Sequence, residues 1–481
     1  TGGTVNILGE KVGVIGGSID ASGINGGGTV LVGGDYRGLG TVPNALQTFV
    51  SGDSTINADA VSNGNGGKVI VWADETTRFN GNISARGGLV SGDGGFVEVS
   101  GKQSLDFQGL VDLRSTFGIA GTLLLDPTDI TIDTNLDTVG DTLSGGIFTP
   151  LGGTSTINNV TLQNQLALGS VTISTESDFP NLGDIKVNAP IAWNTNNSLT
   201  LQAKNSIFVN NNITANGGNI TLNSDVDSGG AGAIAINNAI INSNGGNIIL
   251  GGGKDPSNSP AIGTAQNPFG VSLNNSTLNA GTGNISIIGK GFAGTGNGNL
   301  GISIDNKSTV ESGTGSITLN GTGGNGKSFN SGFNQGIVIQ GSSTVKSGTG
   351  SITLNGTGGN GLNSNDAIII NTGTVESIEG NITLKGTGNG IGNDNAGIFM
   401  NQGTVKSGAG SITLEGTGGN GTDLNQGIGI DQSTVQSAGG NITLKGTGNG
   451  TENSNVGINI NKSTAEKSRG AEESVCEGRA G

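Results

Sequence analysis

Between residues 301 and 463 one phrase is written six times, and that recurrence limits what the chain can fold into more than any other feature. A full copy reads Gly301-Ile-Ser-Ile-Asp305, Ser308-Thr-Val-Glu-Ser312, Gly315-Ser-Ile-Thr-Leu-Asn-Gly321 and the loop Thr322-Gly-Gly-Asn-Gly326. Its opening pair returns at Gly301, Gly336, Ala367, Gly397, Gly427 and Gly457, in steps of 35, 31, 30, 30 and 30 residues. A fixed period in this range marks a repeat architecture. Each copy holds three short segments of period-2 alternation and no helical pattern, so each predicts three strands with one apolar face. Gly, Asn and Ser bound every segment and supply the turns. Three strands of this length cannot close a core, so copies must stack on one another.

The stacked columns are legible. Ile302, Ile337, Ile368, Ile398, Ile428 and Ile458 form one inward column, and Val310, Val345, Val375, Val405 and Val435 a second. The third strand adds Ile317, Ile352, Ile382, Ile412 and Ile442, and the leucines from Leu319 to Leu444. Outside, one column reads Glu311, Lys346, Glu376, Lys406, Gln436, and another reads Asn320, Asn355, Lys385, Glu415, Lys445. Alternating charge between neighbouring copies is what parallel, in-register stacking needs, because opposite charges on adjacent strands attract. The expected fold is therefore all-β: a parallel β-helix with three strands per coil and about 30 residues per coil in the C-terminal half.

Composition agrees. Of 481 residues 95 are Gly, with 32% hydrophobic and 3% aromatic, too lean for a compact globule but sufficient for the thin core of a solenoid. Strict alternation argues against disorder, the other reading of a Gly/Asn/Ser-rich chain. The net charge of −15 excludes nucleic acid as a partner class, since phosphates demand a basic surface. Cys476 is the only cysteine, so no disulfide framework is expected. No apolar run is long enough to span a membrane. The chain opens on Thr1 without Met and shows no signal peptide, which reads as an internal segment.

Along the chain, residues 1–132 form an N-terminal β-helix segment with irregular coils. Gly3-Thr-Val-Asn-Ile7, Gly28-Thr-Val-Leu-Val32, Gly67-Lys-Val-Ile-Val-Trp72 and Gly95-Phe-Val-Glu-Val99 are strands entered through Gly. Ser18-Ile-Asp-Ala-Ser22, Ser54-Thr-Ile-Asn-Ala58 and Asn82-Ile-Ser-Ala85 supply a second kind of strand, giving two per coil. The insertion 34–49, with Tyr36, Arg37 and Pro43, is long enough to protrude. Residues 133–156 read as a junction loop. Irregular coils resume over 157–300, beginning with a strand at Val160-Thr-Leu162, and regular repeats fill 301–464. From Ala465 to Gly481 the repeat stops, seven of seventeen residues are charged, and no apolar face is left to dock. An end cap, a shifted reading frame and a disordered tail compete there, and the missing apolar face favours disorder.

Chemistry is sparse. The absence of His excludes Ser–His and Cys–His nucleophiles and His-bound metals. Asp74-Glu75 beside Trp72 and Arg78 is the best carboxylate constellation for sugar chemistry, but a solvated edge after the strand is the favoured account. Asp126 and Asp129 in Asp-Pro-Thr-Asp are oxygen ligands that would suit Ca²⁺, but Asp126 opening a turn at Pro127 is the favoured account. No catalytic residue, cofactor or firm metal site is assigned. The outward column from Thr318 to Thr443 would meet water or a sugar, yet β-propensity alone accounts for it.

Several N-terminal blocks resemble the large filamentous-haemagglutinin-like exoproteins, especially those of cyanobacteria. They are Gly27-Gly-Thr-Val-Leu-Val-Gly-Gly-Asp35, Val42-Pro43-Asn44, Gly67-Lys-Val-Ile-Val-Trp-Ala-Asp74, Gly81-Asn-Ile-Ser-Ala-Arg-Gly-Gly88, Gly94-Gly-Phe-Val-Glu-Val-Ser-Gly101 and Gly121-Thr-Leu-Leu-Leu-Asp-Pro127. The resemblance extends from Thr1 to about Thr464. It implies a right-handed parallel β-helix, two-partner secretion through an outer-membrane β-barrel, and cell adhesion from the extracellular or outer cell surface. The protein would be a stiff rod presenting loops to an unknown surface or glycan ligand. The family's secretion signature, Asn-Pro-Asn-Leu with Asn-Pro-x-Gly-Ile, does not occur, which places this chain downstream of the secretion domain. A carbohydrate-binding or carbohydrate-cleaving β-helix is the alternative, and a disordered low-complexity chain a further one.

Overall fold

The computed structural model describes residues 1–135, 155–175, 183–294, 298–326, 333–452, 454–467 and, for their backbone, 475–480. The chain forms two compact units. The first is 1–204 with 215–219, and the second is 205–214 with 220–481. Each is a parallel β-helix, as the alternation and the charge columns predict.

In the second unit every described coil runs first strand, second strand, third strand. The first strands pass from Ile207–Val209 through Ile302–Asp305 to Ile458–Asn461. Pairing is parallel and without slip: Val271 stands on Ile302, Ile302 on Ile337, and so on to Ile428 on Ile458. The Val310 and Ile317/Leu319 columns are stacked and sealed in the same way. Register is firm because a shift of one residue would turn every inward aliphatic to solvent. The outward charges pair as the alternation requires. Lys346 lies 3.1 Å from Glu311, Lys406 3.9 Å from Glu376, and Glu415 holds both Lys385 at 3.2 Å and Lys445 at 3.7 Å. Glu376→Lys, which puts a lysine between two others, is expected to cost about 0.5–1 kcal/mol. Urea midpoints in low and high salt check this, since salt should screen most of the loss.

The repeat does not end where its sequence changes. Thr464–Lys467 pairs in register with Thr434–Ser437, so Ala465 occupies the valine column. Gln436 Nε2 donates to Glu466 Oε1 at 3.1 Å and extends the outer column by one coil. Val475–Ala480 then pairs with the third strand Ile442–Gly448. These strands correct the expectation of a tail disordered from residue 465. Strand pairing is a backbone property and tolerates the loss of one valine. Residues 468–474 and 481 lie outside the described residues.

The first unit departs from expectation in three places. Its first coils have three strands and not two: Lys11–Val14, Gln47–Val50, Thr76–Phe79 and Ser104–Phe107 form an additional parallel ladder. Inward threonines conceal it, because Thr48 and Thr77 are buried where an apolar residue would signal a strand. Each satisfies its hydroxyl on a backbone carbonyl, Trp72 O and Ser100 O, at 2.6 Å. Val160 and Leu162 lie in a helix, Asn159–Leu166, where a strand was expected. Asn158 caps it by accepting the Val160 N–H at 2.8 Å. Of the junction 133–156, residues 136–154 lie outside the described residues; Ser155–Asn158 is a strand paired with Ile130–Asp133.

Third, the insertion 34–49 does not protrude. It folds down over the outer face of the sheet as a strap. Leu31, Ile70, Glu98 and Leu124 stand in one outward column, and all four are buried. Leu31, Ile70 and Trp72 form a small core under the strap, with Val42 and Phe96 packed against it. Gly38 takes a φ of +65°, and a Cβ there would come within 2.8 Å of the Trp72 indole, so only glycine lets the strap cross so closely.

Candidate functional site

The residues that the sequence singles out are held in structural roles. Asp74 Oδ1 accepts from Trp72 Nε1 at 3.0 Å and from Asn44 Nδ2 at 3.1 Å, which ties the strap to the strand. Arg78 is engaged elsewhere, with Nε 2.8 Å from Asp106 Oδ2. Asp126 is buried with Arg37 Nε 3.7 Å away, and Asp129 Oδ1 accepts the Asp184 N–H at 2.8 Å. A nearby arginine disfavours a cation at Asp126. Among the described residues no group of three or more acidic or cysteine side chains is placed to hold a metal ion. No helix among them is long and apolar enough to cross a membrane.

Two further features have no precedent in the sequence reading. Under the strap, the fully buried Glu98 carboxylate accepts the Arg37 backbone N–H at 3.1 and 3.2 Å. Burial, with Asp126 adding to it, pushes its pKa up to about 7. Within the second unit, Asn299, Asn334, Asn365, Asn395, Asn425 and Asn455 form a buried amide ladder. Each Nδ2 donates to the next Oδ1, at 3.0, 3.0, 3.0, 2.9 and 3.3 Å. The ladder had a sequence signal: each Asn stands two residues before the Gly/Ala-Ile pair that sets the period.

A groove of about 520 Å³ on the described surface of the second unit is large enough to take a ligand. Its floor is the outward column of the first strands, Val338, Ile369 and Phe399. Phe269, Phe333 and Leu424 add apolar rim, the last two substantially exposed. Carboxamides stand along both sides, Gln335 and Gln426 on one and Gln340, Asn371 and Asn401 on the other. Asp366 and Asp394 enter on the glutamine side. Asp366 is 8% exposed and accepts the Ala396 N–H at 2.7 Å. Burial, with the charge of Asp394 behind it, pushes its carboxyl up to about 7. Burial and then Asp423 raise Asp394 as well. The Phe399 ring lies along the axis because the next residue in its column is Gly429, where a Cβ would come within 2.9 Å of the ring.

No single column is aromatic, and the three phenylalanines that line the groove come from three different coils. The floor, by contrast, was visible. Ile337-Val-Ile-Gln340, Ile368-Ile-Ile-Asn371 and Ile398-Phe-Met-Asn401 place an apolar residue where Ile302-Ser-Ile-Asp305 and Ile428-Gly-Ile-Asp431 do not. A scan against protein-family models returns no match for this chain. A search of the curated proteins likewise finds no significant relative.

Proposed function

We propose that the chain is a structural and adhesive segment of a filamentous-haemagglutinin-like exoprotein. In this reading it is exported through an outer-membrane β-barrel partner and works at the outer cell surface. The observation that carries it is the unbroken register of the second unit, with its outward charges paired from coil to coil. Such a stack adds coils without a new core and suits a spacer that displays its loops. A chain with one cysteine also fits export in an unfolded state, since no disulfide network must form or be kept apart. The reading is non-catalytic. The carbohydrate alternative would use Asp366 and Asp394, the carboxyls that share a groove. Antibodies against the regular coils are expected to label intact cells that make the protein and to reduce their attachment to a surface. Labelling only after lysis would overturn the surface assignment. Labelling with unchanged attachment would overturn the adhesive one.

A further inference from the structure

After Phe208 and Ala235 in its first two coils, the outward face of the first strands in the second unit is polar or bare at Ser272, Ser303, Gly429 and Asn459. Between them, three consecutive coils present Val338, Ile369 and Phe399. Val338 is buried, while Ile369 and Phe399 stay partly open to solvent, and apolar surface left open on the outer side of a Gly/Asn-rich coil gains nothing from water and marks a contact surface. Leu424 sharpens the point. It lines the same groove with a φ of 57°, a left-handed backbone that disfavours bulky side chains. The equivalent positions in neighbouring coils hold Ser364, Asp394 and Ser454, small or polar residues that bear this conformation more easily. The coil therefore carries a strained, exposed aliphatic at the groove's edge.

The polar half of the lining has one sign. Asp366 and Asp394 face the groove, and no lysine or arginine lines it among the described residues. Gln426 Oε1 is buried with no hydrogen-bond partner among the described residues. Neighbouring coils are about 4.8 Å apart, so the floor spans roughly 10 Å, the length of about three extended residues.

We propose that this groove binds an extended cationic amphipathic peptide segment. Its apolar side chains rest on Val338, Ile369 and Phe399, and its lysine or arginine side chains meet Asp366 and Asp394. A second copy of this chain is disfavoured, because two copies at −15 each repel. A neutral glycan would satisfy the carboxamides and leave the two carboxyls without counter-charge. The inference goes beyond the adhesive reading and stands on the groove alone.

The test is fluorescence anisotropy with the full chain and a labelled, end-blocked probe peptide of sequence Lys-Phe-Lys-Leu-Lys. Binding is expected, and the matching peptide with glutamate for lysine should not bind. Phe399→Ala and the double change Asp366→Asn with Asp394→Asn should each weaken binding by about tenfold or more. Glu376→Gln, which removes an acid from a different column, should leave it unchanged. Equal loss in all three variants, or loss in none, would mean diffuse attraction to an acidic surface and would overturn the site. Competition by a neutral tetrasaccharide with no effect of the aspartate changes would make it a glycan groove instead. If Phe399→Ala unfolds, the aspartate pair leaves the apolar floor intact and still decides the matter. Failure of the peptide to bind sinks this proposal and leaves cell attachment, measured separately, as the judge of the adhesive one.

Discussion

Replacing Asn395 with alanine is expected to destabilise the second unit by about 3–5 kcal/mol. Asn395 sits in the middle of the buried amide ladder. Its Oδ1 accepts from Asn365 Nδ2 and from the Asn365 N–H, both at 3.0 Å. Its Nδ2 donates to Asn425 Oδ1 at 2.9 Å and to Gly392 O at 3.0 Å. Alanine removes these bonds and strands buried groups on the coils above and below, each costing about 1–3 kcal/mol. Relaxation cannot fill the gap easily, because the backbone is already close: a Cβ on Gly419 would lie 2.8 Å from the Asn395 Cβ. Asn401, in the same coil, makes one comparable bond, to Asn371 Oδ1 at 3.1 Å, but faces outward. Asn401→Ala should cost less than about 0.5 kcal/mol. Stability in stacked coils is nearest-neighbour, so the damage should be local. Hydrogen exchange should quicken in the coils next to Asn395 and stay unchanged in those near Ile207 or Val271. Uniform exchange across the unit, or equal effects of the two changes, would contradict the ladder's role.

Glu98→Gln is expected to stabilise the first unit by up to about 3 kcal/mol at about pH 8 and to have little effect near pH 4. The sign follows from linkage. The folded carboxyl titrates near 7 and the unfolded one near its ordinary value of 4.5. Between those values the folded state holds a proton that the unfolded state has released. Stability from this group is therefore present below about 4.5, falls as pH rises, and levels off above about 7. Glutamine keeps the oxygen that accepts the Arg37 N–H and has no charge to bury. Acids held low in the same unit act the other way and in a different window. Asp35, bonded to Lys68 Nζ at 2.8 Å and to the Tyr36 N–H at 2.7 Å, loses its contribution only as pH drops below the usual carboxylate range. Both tryptophans, Trp72 and Trp193, belong to the first unit, so their fluorescence reports its urea unfolding directly. A wild-type midpoint that is flat between about pH 5 and 8 would show that Glu98 is solvated and that the strap does not seal it.

Both effects come from polar groups inside the fold, and their legibility differs for a physical reason. Ile302 and its stacked equivalents declare themselves, since an aliphatic residue every second position and every coil has one place to go. Asn395 carries the same period, but asparagine is also the commonplace residue of turns, so its column does not say whether it points in or out. Thr48 and Thr77 mislead further, because an inward hydroxyl satisfied on a neighbouring carbonyl breaks the alternation that identifies a strand. Glu98 reads as an ordinary outward charge until the strap 34–49 is laid over it.

The sequence by itself determined the coil, its period, its inward aliphatic columns and the parallel order of stacking. These follow from period-2 alternation and from side chains repeating at fixed steps, which are local or nearest-neighbour properties. The outward strip Val338–Ile369–Phe399 was also written there, as three apolar residues in a row at one position between Ser303 and Gly429. Only the tertiary structure decided where the strap lies, that Asp366 and Asp394 share a groove with residues of several coils, and that six asparagines close into one buried chain of amides. Those arrangements depend on how loops between strands pack, and loop direction is set by contacts far apart in sequence that no local pattern encodes.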